Sequence, residues 1–216
     1  MWVLTIDQVG SRRVGDRVDA FLDELGALAD ARRLPTGAVR AFERTVGDEV
    51  QGVIDDPELV VEVALDVLRR GGWSVGIGAG DVRDPMPAST RAAEGAAFVH
   101  ARAAVEAAKS RARAIPLAVR GHDDDAAADA EGVLVLLAAT VRRRTEAGWA
   151  VVDAMAAEPG APRQEQVARR LGITQQAVSQ RLRTALWHEE RAARPAAARL
   201  LSLAAGRTAA PDGRAG

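Results

Sequence analysis

Between Gln164 and Arg183 the chain reads QEQVARRLGITQQAVSQRLR, where small, apolar and polar residues recur at the spacing of a helix, a sharp turn and a second helix. Ala168 falls where two helices cross tightly, and Gly172 is the residue type that ends a helix in left-handed backbone. Thr174 offers a hydroxyl to cap the next helix. Val167, Leu171, Ile173, Val178 and Leu182 supply the buried contacts of a three-helix unit. At about 100° per residue, Val178, Leu182 and Ala185 share one side of the second helix, and Gln176, Gln180 and Arg183 share the other. The outward side is therefore amide and guanidinium. Gln can pair with adenine and Arg with guanine in a major groove, while Thr174, Gln175 and Ser179 reach phosphates or base edges near the helix start. The same pattern also suits a solvated surface helix.

Upstream, Thr145 to Ala157 places Trp149, Val152 and Ala156 on one side behind a capping threonine, and reads as the first helix of the unit. Glu158-Pro159-Gly160-Ala161-Pro162 then breaks it. On LGITQQAVSQRLR the motif resembles the helix-turn-helix of MarR-type and sigma-factor-like regulators. That resemblance implies binding to double-stranded DNA.

Charge divides along the chain in the same sense. Residues 1–162 carry a net −7, whereas residues 163–194 hold seven Arg against three Glu and the rest of the chain adds a further +2. Phosphate contacts are expected at the basic end. The single lysine, Lys109, and the absence of Asn reflect a GC-rich coding bias, so the Arg content by itself carries little. Without Cys there is no disulfide framework or thiolate metal site, and His100, His122 and His188 are scattered. No leader is evident at the start, and the longest apolar run, Gly132 to Val141, is about half of the roughly 20 residues that cross a bilayer. The expectation is a cytoplasmic protein with no membrane contact.

The first 122 residues alternate differently. Val3 to Ile6 is a short strand ending at Asp7, and Val18, Phe21, Leu22, Leu25 and Leu28 follow at helical spacing. Ala38 to Arg44 and Glu49 to Ile54 flank a turn at Val46-Gly47-Asp48. Asp55 to Arg70 is helical up to Gly71-Gly72, Trp73 to Val82 is a glycine-punctuated strand, Arg91 to Ala114 a helix and Ile115 to Arg120 a strand. This is the order of a ferredoxin-like palm, an αβ sandwich, followed by an all-α unit, so the fold class expected is α+β. Gly76, Gly78 and Gly80 share one strand face and either admit a packed helix or leave room for a ligand; Phe98, Ala101, Val105 and Ala108 form a stripe that fits against them.

WSVGIGAGDV followed by EGAAFVHARAAVEAAKSR resembles the later part of class III nucleotide cyclases, and RTVGDEVQGVI is similar to their metal hairpin or to the GGDEF-type hairpin. The opening VLTIDQVGSR resembles a cyclase first strand ending in a metal carboxylate. Palm plus C-terminal helix-turn-helix together most resemble the SatD-like family of bacterial proteins over nearly the full chain. Independently of that likeness, Asp7 and Asp48 at strand ends can converge on one hard cation such as Mg²⁺, or can simply serve turns. Gly47 in the hairpin and Arg102 on the helix after the glycine-punctuated strand are the ligand-binding candidates, with a nucleotide as the ligand. The chain lacks the transition-state Asn of such cyclases, and Val99 and His100 stand near its position, so the resemblance stops short of implying cyclisation.

Asp123, Asp124 and Asp125 start a long helix with Val133, Leu134, Leu136, Leu137 and Val141, read as the connector over residues 123–144; Arg142 to Arg144 at its end suit either DNA phosphates or the helix terminus. Trp187 is expected to pack on the C-terminal helix or a second subunit. The helix-turn-helix domain then spans 145–205 and a disordered tail 206–216. The principal expectation is a DNA-binding regulator, acting as a homodimer with half-sites about 34 Å apart. It needs no cofactor for DNA binding, and its palm dimerises or senses a nucleotide. The rivals are metal-dependent nucleotide chemistry and a protein-interaction module.

Overall fold

The computed structural model describes residues 1–31, 39–157 and 163–207. In chain order the elements are β1 (Trp2–Gln8), the single turn α1 (Ser11–Val14), α2 (Val18–Ala31), β2 (Val39–Arg44), β3 (Glu49–Ile54), α3 (Pro57–Arg70) and β4 (Trp73–Ala79). A 3-10 turn (Thr90–Ala92), α4 (Ala96–Ala108), β5 (Leu117–Arg120), α5 (Asp124–Arg142), α6 (Glu146–Ala156), α7 (Gln164–Leu171), α8 (Gln175–Thr184) and α9 (Trp187–Ala204) complete it. The fold is α+β: one five-stranded sheet in the order β2-β3-β1-β4-β5, packed with helices. β1 runs antiparallel to both β3 and β4, and β5 joins β4 in parallel.

Alternation along β1 sorts the two faces of the sheet. Trp2, Leu4 and Ile6 enter a core with Val50, Ile54, Trp73, Val75 and Ile77, closed by apolar residues of α2, α3, α5 and α9. Val3 and Val53 face the other way, against Ala97 and Ala101 of α4. The helix lies so close there that a Cβ on Gly78 would stand 2.1 Å from the Ala97 carbonyl oxygen, and one on Gly76 2.2 Å from the Val105 nitrogen. The glycines of β4 thus admit a helix, which the sequence offered as one of two alternatives.

Helix starts follow the capping chemistry of their sequences. Asp56 accepts a hydrogen bond from the Glu58 amide ahead of Pro57, Asp123 from Ala126, Thr145 from Gly148 and Thr174 from Ala177. Two expectations change. The helix anticipated over 91–114 is shorter, because Gly95 at φ 141° packs where a Cβ would meet the Asp81 carbonyl oxygen at 2.4 Å, leaving only Ala96–Ala108 helical. The strand anticipated to Val82 stops at Ala79.

The division into palm, connector and C-terminal domain also needs redrawing. α5 is no bare linker: Ala126, Ala130, Leu134, Leu137, Ala138 and Val141 belong to the main core beside Ala197, Ala198, Leu201 and Ala204 of α9. α9 returns to the sheet, where its Leu201 carbonyl accepts a hydrogen bond from the Trp2 indole at 3.0 Å. Only α6, α7 and α8 form a separate small core, of Val151, Val152, Met155, Val167, Ala168, Val178, Leu182 and Ala185. Leu136, expected inside, is 71% exposed. The breaker at Glu158 to Pro162, the start of β2 at Ala38 and the tail beyond Arg207 lie outside the described residues. Gly206 and Arg207, assigned to that tail, continue the last turn of α9 by hydrogen bonds to Leu203 and Ser202.

A charged joint fixes the trihelical unit to the rest. Arg144 is 9% exposed, donates to the Ala185 carbonyl at 2.8 Å and pairs with Glu190 at 3.2 Å. Arg69 of α3 grips Asp153 of α6 through two bonds of 2.7 and 2.6 Å, with its guanidinium 3.5 Å from the Trp149 ring centroid. Burial pushes the Arg144 pKa down, and Glu190 opposes that shift. Arg144 therefore serves the joint and is not available to DNA phosphates, one of the two roles the sequence left open for it.

Candidate nucleic-acid interface

Ala168 closes α7 against its neighbours at 5% exposure, and Gly172 follows at φ 64°, ψ 31°. Its amide bonds to the Arg169 carbonyl, and the Ile173 amide bonds to Ala168 at 3.0 Å, a Schellman arrangement that satisfies two otherwise free carbonyls. A side chain at residue 172 would strain that left-handed backbone. Three residues later α8 begins under the Thr174 cap. The sequence therefore sets both the crossing and the angle of departure.

Along α8, Val178 and Leu182 are buried, and Ala185 follows at 5% exposure just beyond the helix. Thr174, Gln175, Gln176, Gln180 and Arg183 are exposed and Ser179 is half-buried. None of these six side chains meets a carboxylate, and apart from the Thr174 cap none makes a side-chain hydrogen bond among the described residues. The candidate DNA-contacting residues thus lie together on one open face. Trp187 is half-buried against the small core and sits edge-on to His188.

A second candidate surface lies beside α4 on the sheet. A cleft of about 760 Å³ is lined by residues that include Thr45, Glu49, Gln51, Phe98, Arg102 and Glu106. Glu43 props its rim: it accepts from Ser89 at 2.8 Å and from the Thr90 hydroxyl at 2.6 Å. Those bonds, Thr90 first, hold the Glu43 carboxyl below its ordinary pKa. Arg102 is exposed in the lining and has no partner among the described residues. Gly47 is not in the lining; it forms the hairpin turn at φ 64°, and its carbonyl accepts from Arg44 at 2.6 Å.

Asp7 lies on the α4 side of β1, opposite Glu49, while Asp48 occupies the turn before β3. Lys109 meets Asp7 at 2.9 Å and Glu106 at 2.8 Å. The pair is asymmetric. Burial raises the Asp7 pKa, and the Asp48 and Glu49 charges add to that, against the opposing bond from Lys109. Burial works against the Lys109 charge, but hydrogen bonds to Glu106 and Asp7 outweigh it and raise its pKa. A metal cation at Asp7 has to displace this ammonium. No cluster of three or more acidic, His or Cys side chains with metal-holding geometry occurs among the described residues.

The sequence missed the Asp7–Lys109 pair, which joins positions far apart in the chain, and the burial of Arg144, whose partner Glu190 lies beyond α8. No helix among the described residues is long and apolar enough to cross a membrane. In comparisons with protein-family models, curated proteins and solved structures, nothing matches the chain.

Proposed function

We propose that this chain is a DNA-binding transcriptional regulator whose α7, turn and α8 act as a helix-turn-helix reading an operator in double-stranded DNA. In this reading α8 lies in the major groove, and the sheet with its helices is a ferredoxin-like palm, of the kind seen in SatD-like proteins, that dimerises or senses a nucleotide. One observation carries it: Gln176, Gln180 and Arg183 stand exposed and unpaired on the side of α8 opposite buried Val178 and Leu182. Such a face presents bidentate donors and acceptors to base edges. A homodimer supplies two such helices to a two-fold operator. Electrophoretic titration of the full chain against genomic fragments tests the reading. A preferred fragment should emerge, and Gln180→Ala with Arg183→Ala should weaken its binding by about 1 to 3 kcal/mol per lost base contact. Equal affinity for all fragments, or none, defeats it.

Unpaired Arg102 in its cleft favours a second reading, in which the palm binds a nucleotide, with Mg²⁺ at Asp7 and Asp48. Equilibrium dialysis with each nucleoside triphosphate, with and without Mg²⁺, tests it. Retention that survives Arg102→Ala counts against this cleft.

A further inference from the structure

Where α5 gives way to α6, Arg143, Arg144 and Thr145 form one side of a cavity of about 330 Å³, and Ala177, Gln180, Arg181 and Thr184 of α8 form another. Three arginines and two threonine hydroxyls line it, and no carboxylate does. The side chains of Arg143 and Arg181 have no hydrogen-bond or ion-pair partner among the described residues, in contrast to most cations beside the sheet. Arg144, though part of the wall, is committed to the joint: its side chain is 1% exposed, with Nε donating to the Ala185 carbonyl and Nη2 to Glu190. With the Arg143 and Arg181 guanidiniums unpaired and no carboxylate in its walls, the hollow suits an anion. The start of α6 adds to the same field: Thr145 and Gly148 line the cavity, at the positive end of that helix dipole.

We propose that this cavity is a phosphate site, occupied by a backbone phosphate of the duplex on which α8 lies. The proposal rests on the DNA-binding reading above and extends it to a contact off the base-reading face. Gln180 belongs to both surfaces, so a phosphate held by Arg143 and Arg181 sits beside the bases that α8 faces and fixes the register of the helix in the groove. This also accounts for the split within the run of three arginines: Arg144 is buried in the joint and Arg143 stays exposed at the cavity.

The test compares the full chain with its Arg143→Gln, Arg181→Gln variant, leaving Arg144 intact; neither substituted residue is buried. Short duplexes of several sequences are titrated by fluorescence anisotropy across a range of KCl, and inorganic phosphate is titrated by calorimetry. Loss of one phosphodiester contact weakens every duplex alike and lowers the slope of log K against log salt by about 1. Unchanged duplex affinity and slope in the variant, with sequence preference retained, overturns the phosphate site and leaves the DNA reading standing. Should the full chain ignore duplexes yet bind inorganic phosphate, with that binding lost in the variant, the site stands with a free phosphate as occupant and its DNA source falls. Binding of neither overturns both.

Discussion

Beside the sheet, Lys109 bridges Asp7 and Glu106, Arg113 and Arg120 share Glu131, and Arg70 holds Asp66 and Glu24, whereas along α8 Gln176, Gln180 and Arg183 meet no protein partner. The two regions also differ in their cores. Large side chains such as Trp2, Trp73, Leu4 and Ile77 fill the sheet core, while the trihelical core is built largely from Val, Ala and Met around Leu182. Most of the cations around the sheet are paired within the fold, whereas the charge and amides on α8 meet no partner among the described residues. Arg102 is among the unpaired cations of the sheet unit and lines a cleft, which is why that cleft supports the second reading.

The joint between the regions gives the largest expected effect. Arg144→Ala leaves Glu190, 1% exposed, with only Arg194 as its cationic partner and removes the bond to the Ala185 carbonyl. Breaking a buried pair in this way costs about 3 to 5 kcal/mol, and urea unfolding should then separate the trihelical unit from the sheet as a distinct transition. A single transition with a loss under about 1 kcal/mol would mean that Arg144 holds nothing. Next comes Gly78→Ala, which drives a methyl group into the Ala97 carbonyl and should destabilise the sheet unit by about 1 to 3 kcal/mol or more. Under the proposed function, the folded fraction should bind duplex DNA as tightly as the parent chain does. Reduced DNA affinity at full folding would break the separation between the two regions.

A smaller effect sharpens the comparison within the sheet unit. Asp7 has its folded pKa raised by burial, so its stabilising contribution is present below the unfolded carboxylate value and is lost as pH rises through the folded one. Glu131 is the reverse. Burial works against its charge, but the Val119 amide, Arg113 and Arg120 outweigh it and lower the pKa, so its contribution is present above the unfolded value and lost as pH falls through the folded one. Thermal melts across the carboxylate range should therefore show Asp7→Asn gaining on the parent as pH rises and Glu131→Gln losing ground. Parallel curves would mean that the two carboxylates sit in equivalent surroundings.

Local signals made much of this legible. Thr174, Gly172 and Ala168 lie within seven residues of one another, their chemistry dictates a cap, a stop and a crossing, and the α7–α8 corner follows from them. The same holds for Asp56-Pro57 at α3 and Asp123 at α5. What the sequence hid depends on distant partners. The Ala and Arg content of 91–114 favours helix throughout, and only the approach of Asp81 to Gly95 explains why the helix starts late. Ala197, Ala198, Leu201 and Ala204 form an apolar stripe on α9, but nothing local says that it faces the sheet. At the candidate interface the open face of α8 was legible by periodicity, while the cavity beside it required Arg143, Arg144 and Arg181 to be brought together by the turn between α5 and α6.

The most direct measurement is the map of backbone amide shifts in isotope-labelled full-length protein as duplex DNA is added. Perturbations are expected to concentrate on Thr174 to Thr184 and on Arg143 to Gly148, leaving β1, β3 and β4 unmoved. Perturbations confined to the cleft beside α4, or none at all at saturating duplex, would contradict the proposed function.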